Sequence, residues 1–150
     1  MSKATIYVDT REQKPYKFRG CIVEHRTLKT GDYSVKSGLG KNGIVLERKS
    51  LNDLFSTLTN TSNRKRFEDE LSRMNDYGFK AIVIEGGVAD VLHGHKRSAA
   101  NGRLVLKYLL ELCLKHKVTP LFCGCRIHAE LVVFDLLTKY HENDPARRWW

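Results

Sequence analysis

The stretch from Gly31 to Asp53 constrains this chain more than any other. It reads Gly31-Asp32-Tyr33, then a Gly/Lys/Ser-rich segment, then Ile44-Val45-Leu46-Glu47-Arg48-Lys49-Ser50-Leu51-Asn52-Asp53. An apolar run suited to a buried strand ends in Glu-Arg-Lys and turns at once into a helix start. Strand side chains alternate between faces, so Glu47 and Lys49 share one face and Arg48 takes the other. A hairpin through the Gly-rich segment brings Asp32 back beside Glu47. Two carboxylates and one ammonium then meet at one spot. Oxygen donors of this kind suit Mg²⁺ or Mn²⁺ rather than zinc. A lysine beside such an ion can orient a water, help deprotonate it, or offset charge on an attacked phosphate. The pattern points to metal-dependent phosphodiester hydrolysis. A plainer reading stands beside it. Lys49 can simply pair with Glu47, Asp32 can be a turn residue, and Ser50-x-x-Asp53 can be a capping box that leaves Asp53 a helix cap.

Bulk properties narrow the partner. The 150 residues suffice for one domain with a real core. A net charge of +9 favours a polyanion, either nucleic acid or an anionic membrane surface. No apolar run approaches the ~20 residues needed to span a bilayer. Asp9, Arg11 and Glu12 stand where a signal peptide would carry its apolar core. The expectation is an intracellular protein, in microbial or host-cell cytoplasm or a nucleus, with its four cysteines reduced. Cys123-Gly124-Cys125 lacks zinc-knuckle spacing, and no phosphate-binding Gly-rich motif for ATP is present.

In chain order, Ala4–Val8 reads as a strand ending at Asp9. Cys21–Leu28 is a second strand with partial alternation, and Tyr33–Lys36 a third. Ser50 opens a helix bearing Leu51, Leu54, Phe55 and Leu58 on one side. Polar residues 59–63 break it. A second helix from about Arg64 to Tyr77 carries the apolar stripe Phe67, Leu71, Met74. Arg64, Lys65 and Arg66 crowd its start, where positive charge opposes the helix dipole. That suggests phosphate binding, although pairs Arg64–Glu68 and Arg66–Glu70 can neutralise the cluster. Lys80–Glu85 is a buried strand and Val88–Leu92 a short helix. His93-Gly94-His95-Lys96-Arg97-Ser98 is a basic loop, with Lys96 and Arg97 placed to face DNA. Ser98 caps a long helix to Lys117, with Leu106, Leu109, Leu110, Cys113 and Leu114 inward. Val118–Cys123 is the last strand, and Arg126–His141 a helix with a wide apolar face suited to core or to an oligomer surface. The domain ends near residue 141. The tail 142–150 closes in Arg147-Arg148-Trp149-Trp150, able to stack on bases or to dock a partner.

Val8-Asp9-Thr10-Arg11-Glu12, Gly31-Asp32-Tyr33 and Glu47-Arg48-Lys49-x-x-x-Asp53 together resemble the nuclease module of the XPF/Mus-type structure-specific endonucleases, within the PD-(D/E)xK superfamily. The resemblance runs over about residues 4 to 141. It implies an α/β, restriction-endonuclease-like core with a mixed central sheet flanked by helices. It implies a Mg²⁺- or Mn²⁺-dependent endonuclease that cuts branched DNA (flap, fork or junction) near single-strand/double-strand boundaries, leaving 5′-phosphate and 3′-hydroxyl, in repair, recombination or replication.

By the same resemblance, Asp32, Glu47 and the backbone carbonyl of Arg48 hold the metal and Lys49 positions the attacking water. Asp53 joins the catalytic set. Asp9 and Glu12 are accessory acids at the rim, and Arg11 holds them or a phosphate. Arg64 or Arg66 contacts the scissile DNA. Family members dimerise, which makes a homodimer through the last helices the default. These 150 residues hold no helix-hairpin-helix module, so junction selectivity is expected to need a partner protein. The alternatives are a Holliday-junction resolvase-like nuclease and a catalytically idle DNA-binding subunit. All motif residues are present, which favours the enzyme.

Overall fold

A computed structural model describes residues 2–95 and 100–144. Lys96, Arg97, Ser98 and the Arg-Arg-Trp-Trp end lie outside the described residues. The elements are β1 (Thr5–Asp9), β2 (Ile22–Arg26), β3 (Tyr33–Val35), β4 (Ile44–Lys49), α1 (Leu51–Thr59), α2 (Thr61–Ser72), β5 (Phe79–Ile84), α3 (Val88–His93), α4 (Gly102–His116), β6 (Thr119–Phe122) and α5 (Arg126–Glu142). They build one mixed sheet in the order β2-β1-β3-β4-β5-β6. β3 runs antiparallel to both β1 and β4, while β1/β2, β4/β5 and β5/β6 are parallel. The expected α/β core, a mixed sheet flanked by helices, is what the chain forms.

The period of two in β4 and β5 divides the interior into two cores. Val45, Ile82 and Ile84 pack with α1, α2, α3 and α4 through Leu54, Phe55, Leu58, Phe67 and Leu109. Ile44, Leu46, Ala81 and Val83 pack on the other face with α5 through Ala129, Val133 and Leu137. The alternation continues past the apolar run. Glu47 therefore belongs to the face of the first four helices and Arg48 to the face of α5.

Several boundaries differ from expectation for identifiable reasons. α2 starts at Thr61 because the Asn60 side chain accepts a hydrogen bond from the Asn63 amide at 2.9 Å, capping the helix one residue after α1 ends. α4 starts at Gly102, capped by Asn101 through the Arg103 amide at 2.9 Å. Its inward stripe is Val105, Leu106, Leu109, Leu112 and Cys113. Leu110 and Leu114, expected inward, are 39% and 82% exposed; they lie one helical step off the stripe that Val105 and Leu112 complete. β2 buries no residue. It is an edge strand, and Arg26 covers the Tyr7 ring at 4.7 Å. On α5, Ile127 and Leu131 of the apolar set are 79% and 56% exposed.

Gly31 makes the turn into β3 possible. Its φ is +74°, and a Cβ there would collide with the Val45 side chain and sit 3.2 Å from the Leu46 carbonyl oxygen. Gly31→Ala should cost about 1–2 kcal/mol for the left-handed backbone and about 1–3 kcal/mol more for overpacking. Urea unfolding should show a lower midpoint at unchanged slope. An unchanged midpoint would contradict the required turn.

Candidate metal and phosphate site

Three strand ends converge on the site. The Asp9 amide donates to the Asp32 carbonyl at 2.8 Å, and the Asp32 amide to the Leu46 carbonyl at 2.9 Å. The hairpin thus brings Asp32 beside Glu47. The Arg48 amide donates to Asp32 Oδ2 at 2.7 Å, and the Asp32 and Glu47 carboxyl groups lie close enough to perturb one another. Glu47 is only 8% exposed. Burial, and then the Asp32 charge, push its carboxyl well above the ordinary range. Burial likewise raises Asp32 to about 6. Without a cation, this pair retains a proton that a bound cation would displace.

Lys49 shares the Glu47 face. Its Nζ lies 3.8 Å from Glu47 Oε1, 3.4 Å from Thr57 Oγ1 and 4.6 Å from the centre of the Phe67 ring. Arg48 points the other way. Its Nε and Nη2 donate to the two Glu12 oxygens, both at 3.0 Å, and its Nη1 to Glu85 Oε1 at 2.9 Å. Tyr16 Oη donates to Glu85 Oε2 at 2.7 Å, and Arg126 reaches the same oxygen at 3.3 Å. Glu12, expected at the rim of the acid site, is engaged by Arg48 instead.

The acid site opens into a cavity of ≈ 170 Å³ lined by Asp9, Arg11, Lys29, Thr30, Gly31, Asp32, Glu47, Glu70 and Arg73. Asp9 is in the wall but committed. It accepts from the Arg11 amide, Nε and Nη2 at 3.2, 2.9 and 3.1 Å and from the Leu28 amide at 2.8 Å. Burial alone would raise its carboxyl, and these bonds more than offset that, leaving it below the ordinary value. Arg11, 65% exposed in its side chain, is thereby held at the cavity mouth. Lys29, Glu70 and Arg73 were not singled out from sequence. The signal was present in α2: with Phe67 and Leu71 inward, residues 70 and 73 share a neighbouring face at helical spacing.

The other candidates fall elsewhere. Asp53 sits in the first turn of α1, where its amide donates to the Ser50 cap at 3.1 Å; it is not among the cavity-lining residues. Arg64 donates to the Leu58 carbonyl at 3.4 Å and stacks over Tyr108 at 4.2 Å, joining α1 to α4. Its expected partner Glu68 pairs across to Lys115 and His116. Arg66 is exposed and bonded to Asn63 Oδ1 at 2.9 Å. Among the described residues no three His, Cys, Asp or Glu side chains form a ready cation cage. The available donors are two carboxylates and a carbonyl, the hard-oxygen set of an ion that keeps several waters, as Mg²⁺ does.

The carboxyl pair predicts a pH dependence. Between the ordinary 3.8 and about 6 the folded chain holds on Asp32 a proton that the unfolded chain has lost. Metal-free stability contributed by this group therefore falls as pH rises through that window. Asp32→Asn keeps an acceptor for the Arg48 amide and removes the charge. In EDTA it should be more stable than the parent at pH 7.5 and no more stable near pH 4, by urea unfolding. Equal destabilisation at both pH values would overturn this.

Comparison with known proteins bears on this geometry. No curated protein matches the chain. Solved structures that share its fold include two of XPF from Aeropyrum pernix. XPF from Aeropyrum pernix gives a TM-score of 0.68 at 22% identity, covering 97% of this chain and 69% of that one. XPF from Aeropyrum pernix in complex with DNA gives 0.71 at 22% identity, covering 93% and 66%. The chain thus spans about two thirds of the length of either. The chain has the fold of those XPF structures, a mixed six-stranded sheet flanked by helices. The model of the ERCC4 domain matches residues 8–133, from the end of β1 into α5. That match includes every strand end that builds the acid site, and the chain belongs to the ERCC4 domain family.

Proposed function

We propose that this domain is a divalent-metal-dependent, structure-specific DNA endonuclease. The observation that carries the reading is the juxtaposition of Asp32, anchored at 2.7 Å by the Arg48 amide, with buried Glu47 and the Lys49 ammonium 3.8 Å from Glu47. Asp32, Glu47 and the Arg48 carbonyl would hold Mg²⁺ or Mn²⁺. Bound there, the ion would supply Lewis-acid stabilisation of charge building on the phosphate oxygens. Lys49 orients the attacking water beside the carboxylates. Arg11, Lys29 and Arg73 surround the mouth with positive charge and draw the phosphate in. Asp9 acts through Arg11, and Asp53 is assigned to the helix start. Arg66, exposed on α2, is the better DNA contact of the arginine pair, with Lys96 and Arg97 as further contacts. The products would carry 5′-phosphate and 3′-hydroxyl. Such work belongs inside a cell, in repair, recombination or replication.

The DNA-bound homologue supports DNA as the partner class. A second copy of the chain is proposed as a protein partner, docking on α5. There Ile127, Leu131 and Phe134 line an apolar groove with Phe18, of ≈ 460 Å³. A partner protein supplying junction selectivity is also proposed. An intact acid site with Lys49 in place argues against an idle subunit.

Labelled flap, fork, four-way junction and plain duplex DNA should be incubated with Mg²⁺ or Mn²⁺. One branched form should be cut. Asp32→Ala and Lys49→Ala should bind it but cut at least about 10²-fold more slowly. Preference for the four-way junction would favour the resolvase alternative. Binding without cutting by the parent, with either metal, would refute the enzyme. Log affinity should fall steeply and linearly with log salt concentration; a flat line would remove the backbone grip. Sedimentation should give a dimer that Ile127→Asp dissociates.

A further inference from the structure

We propose that Phe67 is a positioning residue for Lys49, its ring face fixing the ammonium that orients the attacking water. This rests on the role given to Lys49 above. Phe67 lies in α2, is 2% exposed and packs in the core with Leu54, Leu58 and Leu71. By sequence it belongs to an apolar stripe where leucine would serve equally. Its ring, however, is where the Lys49 side chain ends. Nζ stands 4.6 Å from the ring centre, inside the ~6 Å range of a cation–π contact.

The rest of the Lys49 environment leaves this contact with work to do. The side chain is 14% exposed, and an ammonium carries three donors. Its polar neighbours are Thr57 Oγ1 at 3.4 Å and Glu47 Oε1 at 3.8 Å. Both are at the long end of contact. The ring face, 4.6 Å from Nζ, is a further attraction on the ammonium beside these two long polar contacts. It also restrains a four-carbon stem that otherwise keeps substantial rotamer freedom. Glu47 and Lys49 come from one strand and Phe67 from the helix across the cavity wall. The ring thus ties the reactive end of β4 to α2.

Replacing Phe67 by phenylalanines with one, two and three ring fluorines weakens the negative ring face at nearly constant shape. Single-turnover cleavage of the branched substrate should slow stepwise, on the order of 3- to 30-fold over the series, with DNA affinity unchanged. Phe67→Tyr should retain most of the rate and Phe67→Leu should not. In the metal-free protein, the Lys49 Hε proton resonances should be shifted upfield by the ring and return to ordinary positions in Phe67→Leu. A flat rate across the fluorine series, or Lys49 Hε resonances identical in parent and Phe67→Leu, would overturn the proposal. Parent-like cutting by Lys49→Ala would instead defeat the role of Lys49. The Hε shift would survive that result, so the two failures are distinguishable.

Discussion

The Arg48 guanidinium, held between Glu12 and Glu85, is the interaction on which the rest of the structure depends. Its three bonds are all 2.9–3.0 Å, and the side chains of all three residues are less than 10% exposed. Burying such charges is expensive, and the return is seldom large net stability. What the cluster provides is definition. Glu12 comes from the exit of β1, Arg48 from β4 and Glu85 from the end of β5. Tyr16 and Arg126 add the following loop and the first turn of α5. Tyr16 also stacks on Tyr33 of β3 at 5.2 Å. One buried side chain therefore sets the relative position of the strand ends that present Asp9, Asp32 and Glu47 on the opposite face.

Adjacent residues of β4 divide the labour. Glu47 lines the cavity with Lys49 beside it on the same face of the sheet, and Arg48 faces α5. The Arg48 peptide belongs to both sides, since its amide binds Asp32 Oδ2 at 2.7 Å while its side chain is clamped behind the sheet. A rigid guanidinium fork suits this better than lysine would, because it satisfies two carboxylates in fixed directions. The same logic explains why Arg48 belongs to a site motif without its side chain facing the site.

The sequence made the element order, the mixed α/β core and the Asp32–Glu47–Lys49 juxtaposition legible. They rest on local signals: a period of two in β4, a Gly-rich hairpin, and a cap at Ser50. Less legible were features decided by competition among long-range partners. Glu12 was placed with Asp9 by the family resemblance, yet Arg48 captures it. Arg64 looked free to meet a phosphate, yet the Tyr108 ring and the Leu58 carbonyl hold it. Glu70 looked like an i,i+4 partner of Arg66, yet it faces the cavity with Arg73. Leu110 and Leu114 looked like core, because the stripe was set one step off the one that Val105 and Leu112 complete. In each case composition supplied the group and packing chose its partner.

The acid site is costly to the metal-free fold, and its architecture shows how the two acids are nevertheless held together. Asp32 and Glu47 are crowded together, with Glu70 adding further negative potential at Glu47. Lys49, at 3.8 Å, compensates only in part. Carboxylates held this way favour a doubly charged ion over water, because relief of their repulsion adds to the binding free energy. That relief requires the carboxylates to stay close when empty. The strand hydrogen bonds of Asp32 and the clamp behind Arg48 hold them there. Drift of the acids on the cavity face is thus opposed one residue away, on the other face of the same strand. A loosening of the clamp would let the acids drift apart and would weaken the ion's grip without any change to its ligands.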